Sequence, residues 1–464
     1  MSKLLQINKE EAIKILEAGL STGADFCEVF MEDTINYSLE MVSGEVTDIS
    51  NLHVTGASIR LIKDEVAVNG CTSEMSVESL IKLANKLASN FEGAPSNEIK
   101  EFNDTTRNTI VHIDENRVND DPVPLLKKAY VAAKEYSNEI IQVICSATRK
   151  NQRIHVFAND GTWAKDRRLN TRLGVTAIAS DGKNMQSCGE NEGGNSAMDL
   201  YDNFDMEALG RQAAESAVTM LHADEMVGGD IPVVIHNGFG GVILHESCGH
   251  SLEAAGVAKG MSVNCGKLGQ KIASDIVNAV DSGIHENEWG SLNVDDEGTP
   301  TQCNLLIENG ILKSYLVDKQ NAKKMNHPIT ASSRRESYKH VPTARMTNTY
   351  FLNGTSTFEE IIANTKYGLF AKKMGGGSVN PATGEFNFAV NEGYMIEDGK
   401  ITKPVRGATL VGSGKDVLLR IDMISNNLSL GYGMCGASSG SIPACVGQPT
   451  IRVSHLTVGG KGDK

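Results

Sequence analysis

The chain has 464 residues, a formal net charge of −14 and a pI near 5.3. This length allows two or three domains with sizeable cores, and the acidic balance, without any Lys/Arg run, argues against a nucleic-acid-binding surface. No apolar stretch approaches the span of a bilayer, and the first ten residues show no apolar leader. The nine cysteines are odd in number and lack paired spacing. We therefore expect a cytoplasmic protein with reduced thiols and no membrane attachment.

The first half of the chain predicts helices alternating with strands that pair through short turns. Helices are expected over 9–22, 76–91, 124–137 and 205–222, and strands over 26–32, 36–42, 46–49, 53–68, 140–148, 153–157 and 162–178. Ser43-Gly44 and Asn159-Asp160-Gly161 are typical of tight turns, and 95–123 is predicted to be a surface loop. Locally paired strands with helices on one face predict an α+β domain with an antiparallel sheet, not a doubly wound parallel one.

The turn Val227-Gly228-Gly229-Asp230 is the predicted domain boundary. It separates an N-terminal α+β domain, 1–226, from a C-terminal β-rich domain, 227–464. A buried strand at 232–236 and a glycine-rich turn at 237–241 follow the boundary.

A helix is expected to begin at Val242, and the rest of the second half is mostly strands. Hairpins are expected about Asn309-Gly310 and Asp398-Gly399, with one short helix at 358–364. We therefore expect an antiparallel, curved or barrel-like sheet that supports the helix from Val242.

That helix carries the sequence His245-Glu246-Ser247-Cys248-Gly249-His250. Two imidazoles and a carboxylate can hold a metal ion and keep a general base beside it, and the familiar zinc-peptidase pattern spaces its histidines four apart. Here the spacing is five, which leaves the side chains about 140° apart on a regular helix. A metal site therefore requires distorted backbone, and a π-type turn at Gly249 is the expected distortion. The alternative is a helix with two incidental histidines and a surface Glu.

Two histidines leave a catalytic zinc site one protein ligand short. Cys435, in a segment that reads as a glycine-rich loop, is one candidate for the third ligand, and Cys445 and Cys265 are rivals that residue chemistry alone does not exclude. Cys248 points away if the histidines point inward. For any of these thiols the simpler role is that of a small buried hydrophobe.

A series of short blocks accompanies the histidine motif along the second half of the chain. They are Val294-Asp-Asp-Glu-Gly-Thr-Pro300, Arg334-Arg-Glu-Ser-Tyr338, Arg345-Met-Thr-Asn-Thr349, Gly375-Gly-Gly377, Lys403-Pro-Val-Arg-Gly-Ala-Thr409, Cys435-Gly436, Val446-Gly-Gln-Pro-Thr450 and Leu456-Thr-Val-Gly-Gly460. In this order they resemble the TldD/PmbA family, whereas the first half fits that family only by length and helix-strand order. The resemblance implies a cytosolic zinc metallopeptidase that cuts unfolded peptides inside a closed dimer, in a family historically labelled modulators of DNA gyrase.

The resemblance also implies a complete metal site, in which the family's loop cysteine matches Cys435 and joins His245 and His250. Family partners that lack the motif are catalytically silent, so this chain resembles the active TldD-type member, paired with itself or with a motif-lacking paralogue. One departure follows the cysteine, where the usual Gly-Lys-x-Gly-Gln is replaced by Gly436-Ala-Ser-Ser-Gly440. Cys445 also stands where the family commonly has glycine.

The chemistry expected of such a site is zinc-assisted hydrolysis of peptide bonds in unfolded peptides. Glu246 is the predicted general base, which takes a proton from water and later delivers it to the leaving amine. His340 and Arg345 are candidate oxyanion donors, and each is equally suited to a structural or surface role. We expect an extended peptide to pair with an exposed strand edge.

The competing prediction is a non-enzymatic, partner-binding regulator in which the metal is structural. Structural zinc sites are normally closed by four protein ligands. A fourth thiolate on the ion, from Cys265 or Cys445, would favour this alternative.

Overall fold

The computed structural model describes residues 6–96, 98–106, 109–380 and 382–461. The first five residues, part of the segment for which no leader is predicted, lie outside this range, as do three residues of the predicted loop 95–123. Within the described ranges, none of the helices is long and apolar enough to cross a membrane.

The N-terminal half is a twisted sheet with helices on one face. Its helices are α1 (Lys9–Leu20), α2 (Val77–Ala88), α3 (Val123–Lys134) and α4 (Met206–Leu221), and its strands are β1 (Phe26–Val42), β2 (Glu45–Lys63), β3 (Val66–Thr72), β4 (Asn103–Asp104), β5 (Ile140–Ala158), β6 (Thr162–Ser180) and β7 (Met185–Asn195). The strand order is β3-β2-β1-β5-β6, with β4 and β7 both paired to β6. Only the two-residue β4 pairs in parallel, so the predicted antiparallel α+β arrangement is confirmed.

Several predicted strands prove to be parts of longer ones. Predicted strands 26–32 and 36–42 are both in β1, and 140–148 and 153–157 are both in β5. The breaks predicted within β1 and β5 were wrong, because the residues at those positions pair with the neighbouring strands and continue the sheet. The predicted turn at Ser43-Gly44 is confirmed, since both residues have positive φ, 51° and 88°. Strand β7 was missed because its polar, glycine-containing sequence lacks an apolar alternation.

The C-terminal half contains most of the strands. These are β8 (Asp224–Glu225), β9 (Gly229–Ile235), β10 (Ala279–Ser282), β11 (Cys303–Glu308), β12 (Ile311–Leu312), β13 (Ser333–Arg334), β14 (Thr343–Ala344), β15 (Asn348–Phe351), β16 (Tyr367–Val379), β17 (Glu385–Glu397), β18 (Lys400–Arg406), β19 (Thr409–Ser413), β20 (Ile421–Ile424), β21 (Ser429–Ala437), β22 (Gly440–Gln448) and β23 (Ile451–Gly459). The helices are short: α5 (Val242–Ser247), α6 (Ala254–Val257), α7 (Lys319–Met325), α8 (Phe358–Ala363) and α9 (Gly414–Val417).

Two large sheets and the separate pair β13-β14 contain these strands. In the larger sheet, β16, β9, β23, β19 and β17 follow one another, and β17 pairs back onto β16, which closes a five-stranded barrel. The smaller sheet has the order β12-β11-β10-β15-β22-β21, so β21 is a terminal strand. Both predicted hairpins are confirmed, with positive φ at Asn309-Gly310 and Asp398-Gly399. The barrel-like sheet that we expected is therefore present, and the division at residue 226 stays a prediction.

Helix α5 lies in the main C-terminal core. Val242, Ile243 and Leu244 are buried there together with barrel residues. At its start, a Cβ on Gly241 would come within 2.3 Å of the Gly447 backbone nitrogen, so only glycine lets the helix approach β22 this closely. This packing fixes the position of the histidine motif relative to β22 and its neighbour β21.

A buried ionic network joins the two halves. Arg60 of β2 bonds Glu28 of β1 at 2.9 Å and Glu297 at 2.5 Å, and Arg335 bonds Glu28 at 2.8 Å. The blocks 294–300 and 334–338 of the second half thus meet the N-terminal sheet through paired charges. Because removal of one partner from a buried pair is strongly destabilising, these contacts hold the two halves in register.

Candidate metal centre

The histidine motif adopts a broken helix. Helix α5 ends at Ser247, Cys248 has φ −128° and ψ −53°, and a 3₁₀ turn covers Gly249–Leu252. The predicted π-type turn is therefore wrong. The break has the same effect, because it turns His250 back towards His245 until their rings lie 4.9 Å apart at 86°.

Gly249 is needed in this break because of close packing. A Cβ at this position would come within 2.1 Å of the Met346 sulfur, much closer than non-bonded atoms approach. Met346 is fully buried. The glycine therefore lets the turn that carries His250 pack directly on the core.

Cys435 completes a cluster of three donor groups. It lies on β21, opposite Ile442 of β22, so the prediction of a loop at this position is wrong. Its Sγ is 3.1 Å from His245 Nε2 and 3.4 Å from His250 Nε2. One ligand atom from each residue lies within 4.8 Å of the other two, and this is the one such group found among the described residues.

The electrostatics of the cluster favour a thiolate. Burial by itself would raise the pKa of the Cys435 thiol, but the charges and hydrogen bonds of His245 and His250 outweigh it and lower the pKa to about 4. The pKa of His250 is in turn raised well above its usual value: burial lowers it, while Glu253 and Cys435 raise it more. A buried sulfur and two ring nitrogens that face one another form a donor set suited to zinc.

Glu246 lies at the edge of this cluster. Its Oε2 is 3.7 Å from His250 Nε2, and its side chain is 18% exposed whereas His245 is buried. Burial raises the pKa of the Glu246 carboxyl, and the two histidine charges oppose that effect. It is thus a carboxylate with access to solvent beside the cluster, as a general base requires.

Two groups stand behind the cluster: Glu253, to which the sequence analysis gave no role, and Arg345, which it named only as a candidate oxyanion donor. Glu253 Oε1 is 3.0 Å from His250 Nδ1 and 3.6 Å from Arg345 Nε. Arg345 Nη2 donates to the Cys435 carbonyl at 2.6 Å. Such outer contacts fix the ring orientation of a ligating histidine. The position of Glu253, three residues after His250, is the feature of the sequence that could have indicated this contact.

The two candidate oxyanion donors, Arg345 and His340, form hydrogen bonds with other parts of the protein. Arg345 is fully buried, and its Nη1 donates to Ser439 and Gly440, so it supports the turn that joins β21 to β22. His340 contacts Ser337 in its own segment.

The rival thiols lie away from the cluster. Cys445 is buried on β22 and its Sγ is 3.8 Å from a Glu288 oxygen, whereas Cys265 contacts Ser262 and Val257. Cys248 is buried in the core and is not a member of the cluster. All three thiols are therefore separate from the group formed by the two histidines.

Three family models match consecutive parts of the chain. The PmbA/TldA metallopeptidase C-terminal domain matches residues 228–460, the central domain of that family matches 114–221, and its domain 1 matches 27–91. The largest match includes all three members of the cluster.

Known relatives and a solved structure agree with these matches. The metalloprotease TldD homolog of Haemophilus influenzae is 41% identical over 73% of this chain and 72% of its own length, and that of Buchnera aphidicola is 32% identical over 98% and 97%. The crystal structure of TldE from Thermococcus kodakarensis has the same fold, with a TM-score of 0.76, 18% identity and coverage of 97% and 99%. The chain therefore belongs to the PmbA/TldD family of metallopeptidases.

Proposed function

We propose that this protein is a zinc-dependent peptidase whose metal is held by His245, His250 and Cys435. The observation that carries the proposal is the convergence of these three donors within 4.8 Å. Three protein ligands with an open position are typical of catalytic zinc sites, and structural sites normally have four. A zinc ion held there supplies Lewis acidity, which polarises a carbonyl and acidifies water.

Glu246 is the proposed general base. Its carboxylate lies 3.7 Å from His250 Nε2 and keeps access to solvent, and its sequence position keeps it beside a ligand. It takes the proton of the attacking water and afterwards delivers that proton to the leaving amine. Glu253 and Arg345 hold His250 and the Cys435 strand in position.

Unfolded peptides are the proposed substrates. Strand β21 carries Cys435 and is terminal in its sheet, with no further strand beyond it among the described residues. An extended peptide that pairs with this edge would bring its backbone to the metal centre, and main-chain pairing gives affinity without strong sequence preference. Met434, at the centre of the edge, is 52% exposed and accessible to such a peptide.

Glu246→Gln tests the mechanism. The amide preserves the shape of the side chain but cannot accept the proton, so hydrolysis of an unfolded protein should fall by about 10²- to 10⁴-fold while zinc content and circular dichroism stay unchanged. Glu359→Gln, an exposed carboxylate in the first turn of α8, is the matched control and should retain full activity. Near-normal turnover by the Glu246 variant would remove this residue from the mechanism.

The alternative of a partner-binding regulator with a structural metal has no specific support. It requires a fourth ligand, and the thiols that were candidates, Cys265 and Cys445, contact other groups. A zinc-loaded preparation that binds unfolded peptides but never hydrolyses them would favour it.

Assembly is the remaining part of the proposal. We expect a cytoplasmic dimer, either of two copies of this chain or of this chain with a motif-lacking paralogue. Light scattering on the protein alone and after mixing with such a paralogue distinguishes the two arrangements.

A further inference from the structure

Two adjoining cavities lie between the N-terminal sheet and strand β21. Their volumes are about 800 and 940 Å³, which is within the range of ligand sites. Arg172 of β6 and Met434 of β21 line both of them. Successive side chains of a strand point to opposite faces, so Met434 faces the cavities while Cys435 faces the histidines.

The sheet face under the smaller cavity is polar, and Arg172 is one of the cationic residues that line it. Ser50, Ser38, Thr148 and Arg172 form one row across β2, β1, β5 and β6. In the next row, Lys150 already donates to the Glu336 carbonyl at 2.9 Å. The hydroxyl groups of this row lie beside Arg172 and can form hydrogen bonds with a polar group of a ligand.

Arg172 has no ion-pair partner among the described residues. Its Nε donates to Asn191 at 3.0 Å, and its guanidinium carbon lies 5.9 Å from the centre of the Trp289 ring. Burial lowers its pKa. An uncompensated, partly buried charge is costly, so an anion in the cavity would be bound favourably.

The carboxylates near Arg172 are engaged elsewhere. Glu190 pairs with Lys373, and Glu192 accepts a hydrogen bond from the Tyr432 hydroxyl at 2.8 Å. Other cations of the larger cavity are paired too, since Lys372 bonds Glu392. Of the other arginines that line the cavities, Arg149 donates its Nη2 to the Asp120 carbonyl at 2.9 Å and lies over the Tyr37 ring, and Arg406 pairs with Glu225. Among the described lining residues, Arg172 is the guanidinium that lines both cavities and remains available to an incoming anion.

Trp289 connects Arg172 to the strand of the metal centre. Its Nε1 donates to the Gly433 carbonyl at 2.8 Å, two residues before Cys435. A peptide paired along β21 would direct alternate side chains to the Met434 face, which is the face that Arg172 and Trp289 line. An anionic group of that peptide would enter the cavities while its backbone lies beside the zinc ligands.

Resting on the proposed peptidase function, we propose that Arg172 binds a carboxylate of the peptide substrate and so selects which peptides are held at β21. The carboxylate belongs either to an acidic side chain or to the C-terminus of the peptide. In both cases the planar guanidinium suits a bidentate contact that a lysine reproduces only in charge.

Peptide binding measured without turnover tests this proposal. The protein is the zinc-loaded Glu246→Gln variant, and the probe is a fluorescently labelled, unstructured peptide of about ten residues, enough to span β21, with one Asp and a free C-terminus. Three further probes have the Asp replaced by Asn, the C-terminus amidated, or both. Fluorescence anisotropy gives each Kd with Arg172 intact, with Arg172→Gln, with Arg172→Lys, and with Lys183→Gln as a control at an exposed position outside both cavities.

With Arg172 intact, we expect the neutral peptide to bind at least about tenfold more weakly than the charged one. The probe that loses affinity identifies the source of the carboxylate. Arg172→Gln should abolish the preference, Arg172→Lys should keep part of it, and Lys183→Gln should leave it unchanged. Equal binding of charged and neutral probes, no binding of any probe, or a preference that survives in Arg172→Gln would overturn the proposal.

The results of this binding test can be distinguished from the results that test the peptidase proposal. If the enzyme with Glu246 intact fails to hydrolyse peptides but the Arg172-dependent preference is present, the peptidase proposal fails and the carboxylate site stands. If hydrolysis occurs without the preference, only the carboxylate site fails. In the active enzyme, Arg172→Gln should raise KM for the charged peptide more than it lowers kcat, which a general loss of structure would not do.

Discussion

Replacement of Cys435 by alanine tests the third metal ligand. The sulfur lies 3.1 and 3.4 Å from the two histidine nitrogens. Groups that only orient ligands contribute about 10- to 100-fold to metal affinity, so loss of a direct ligand should cost more than about 100-fold, or more than ~2.7 kcal/mol. The fold should survive, because Cys435 belongs to a small cluster with Ile442 and Ala444 and not to the main core.

The assay compares three alanine variants, at Cys435, Cys445 and Cys265. Zinc is determined after dialysis against a metal buffer that just saturates the unmodified protein, followed by digestion of an unfolded protein and circular dichroism. We expect Cys435→Ala to lose zinc and activity, and the other two variants to keep both. Full zinc and activity in Cys435→Ala, or their loss in either of the others, would show that a different sulfur holds the metal.

Three further outcomes are expected. Glu253→Gln removes the charged acceptor of His250 Nδ1 and should weaken zinc binding about 10- to 100-fold in a chelator competition, and unchanged affinity would contradict this role. Denatured forms of a stable protein should be digested and its native form spared, because strand pairing needs free backbone; equal digestion in a gel assay would count against it. Burial would raise the pKa of Glu392, but Lys372 and Lys373 outweigh it and hold the pKa at about 2, so this carboxylate stabilises the fold above about pH 4.5 and progressively less down to about pH 2. Glu392→Gln should therefore lower the free energy of unfolding by about 2–3 kcal/mol at neutral pH and flatten its acid dependence, as measured by urea unfolding at several pH values.

The features that the sequence predicted well depend on local geometry. Tight turns such as Ser43-Gly44 and Asn309-Gly310 need positive φ at neighbouring positions, and Gly and Asn adopt it at low cost. The helices were predicted by periodicity, as in α4, whose apolar stripe is buried over Met206–Leu221. These signals depend on residues a few positions apart.

The errors arise where distant contacts decide the backbone. The π-type turn was the simplest local way to bring His245 and His250 together. The chain instead breaks the helix at Cys248, because Gly249 packs against Met346, almost a hundred residues away. Strand β21 was missed for the same reason, since its glycines gave a loop signal and its pairing with β22 gave the strand.

The third donor shows the limit of local patterns most clearly. Cys435 is 190 residues from His245, and Cys445 and Cys265 had equal standing by residue chemistry. Two contacts bring Cys435 to the histidines. Helix α5 packs against β22, where Gly241 contacts Gly447, and buried Arg345 donates a hydrogen bond to the Cys435 carbonyl. The arginine also pairs with Glu253, which contacts His250. One side chain thus couples the strand that supplies the thiol to the turn that supplies the imidazole, so the donor geometry depends on the packing of these segments as a unit.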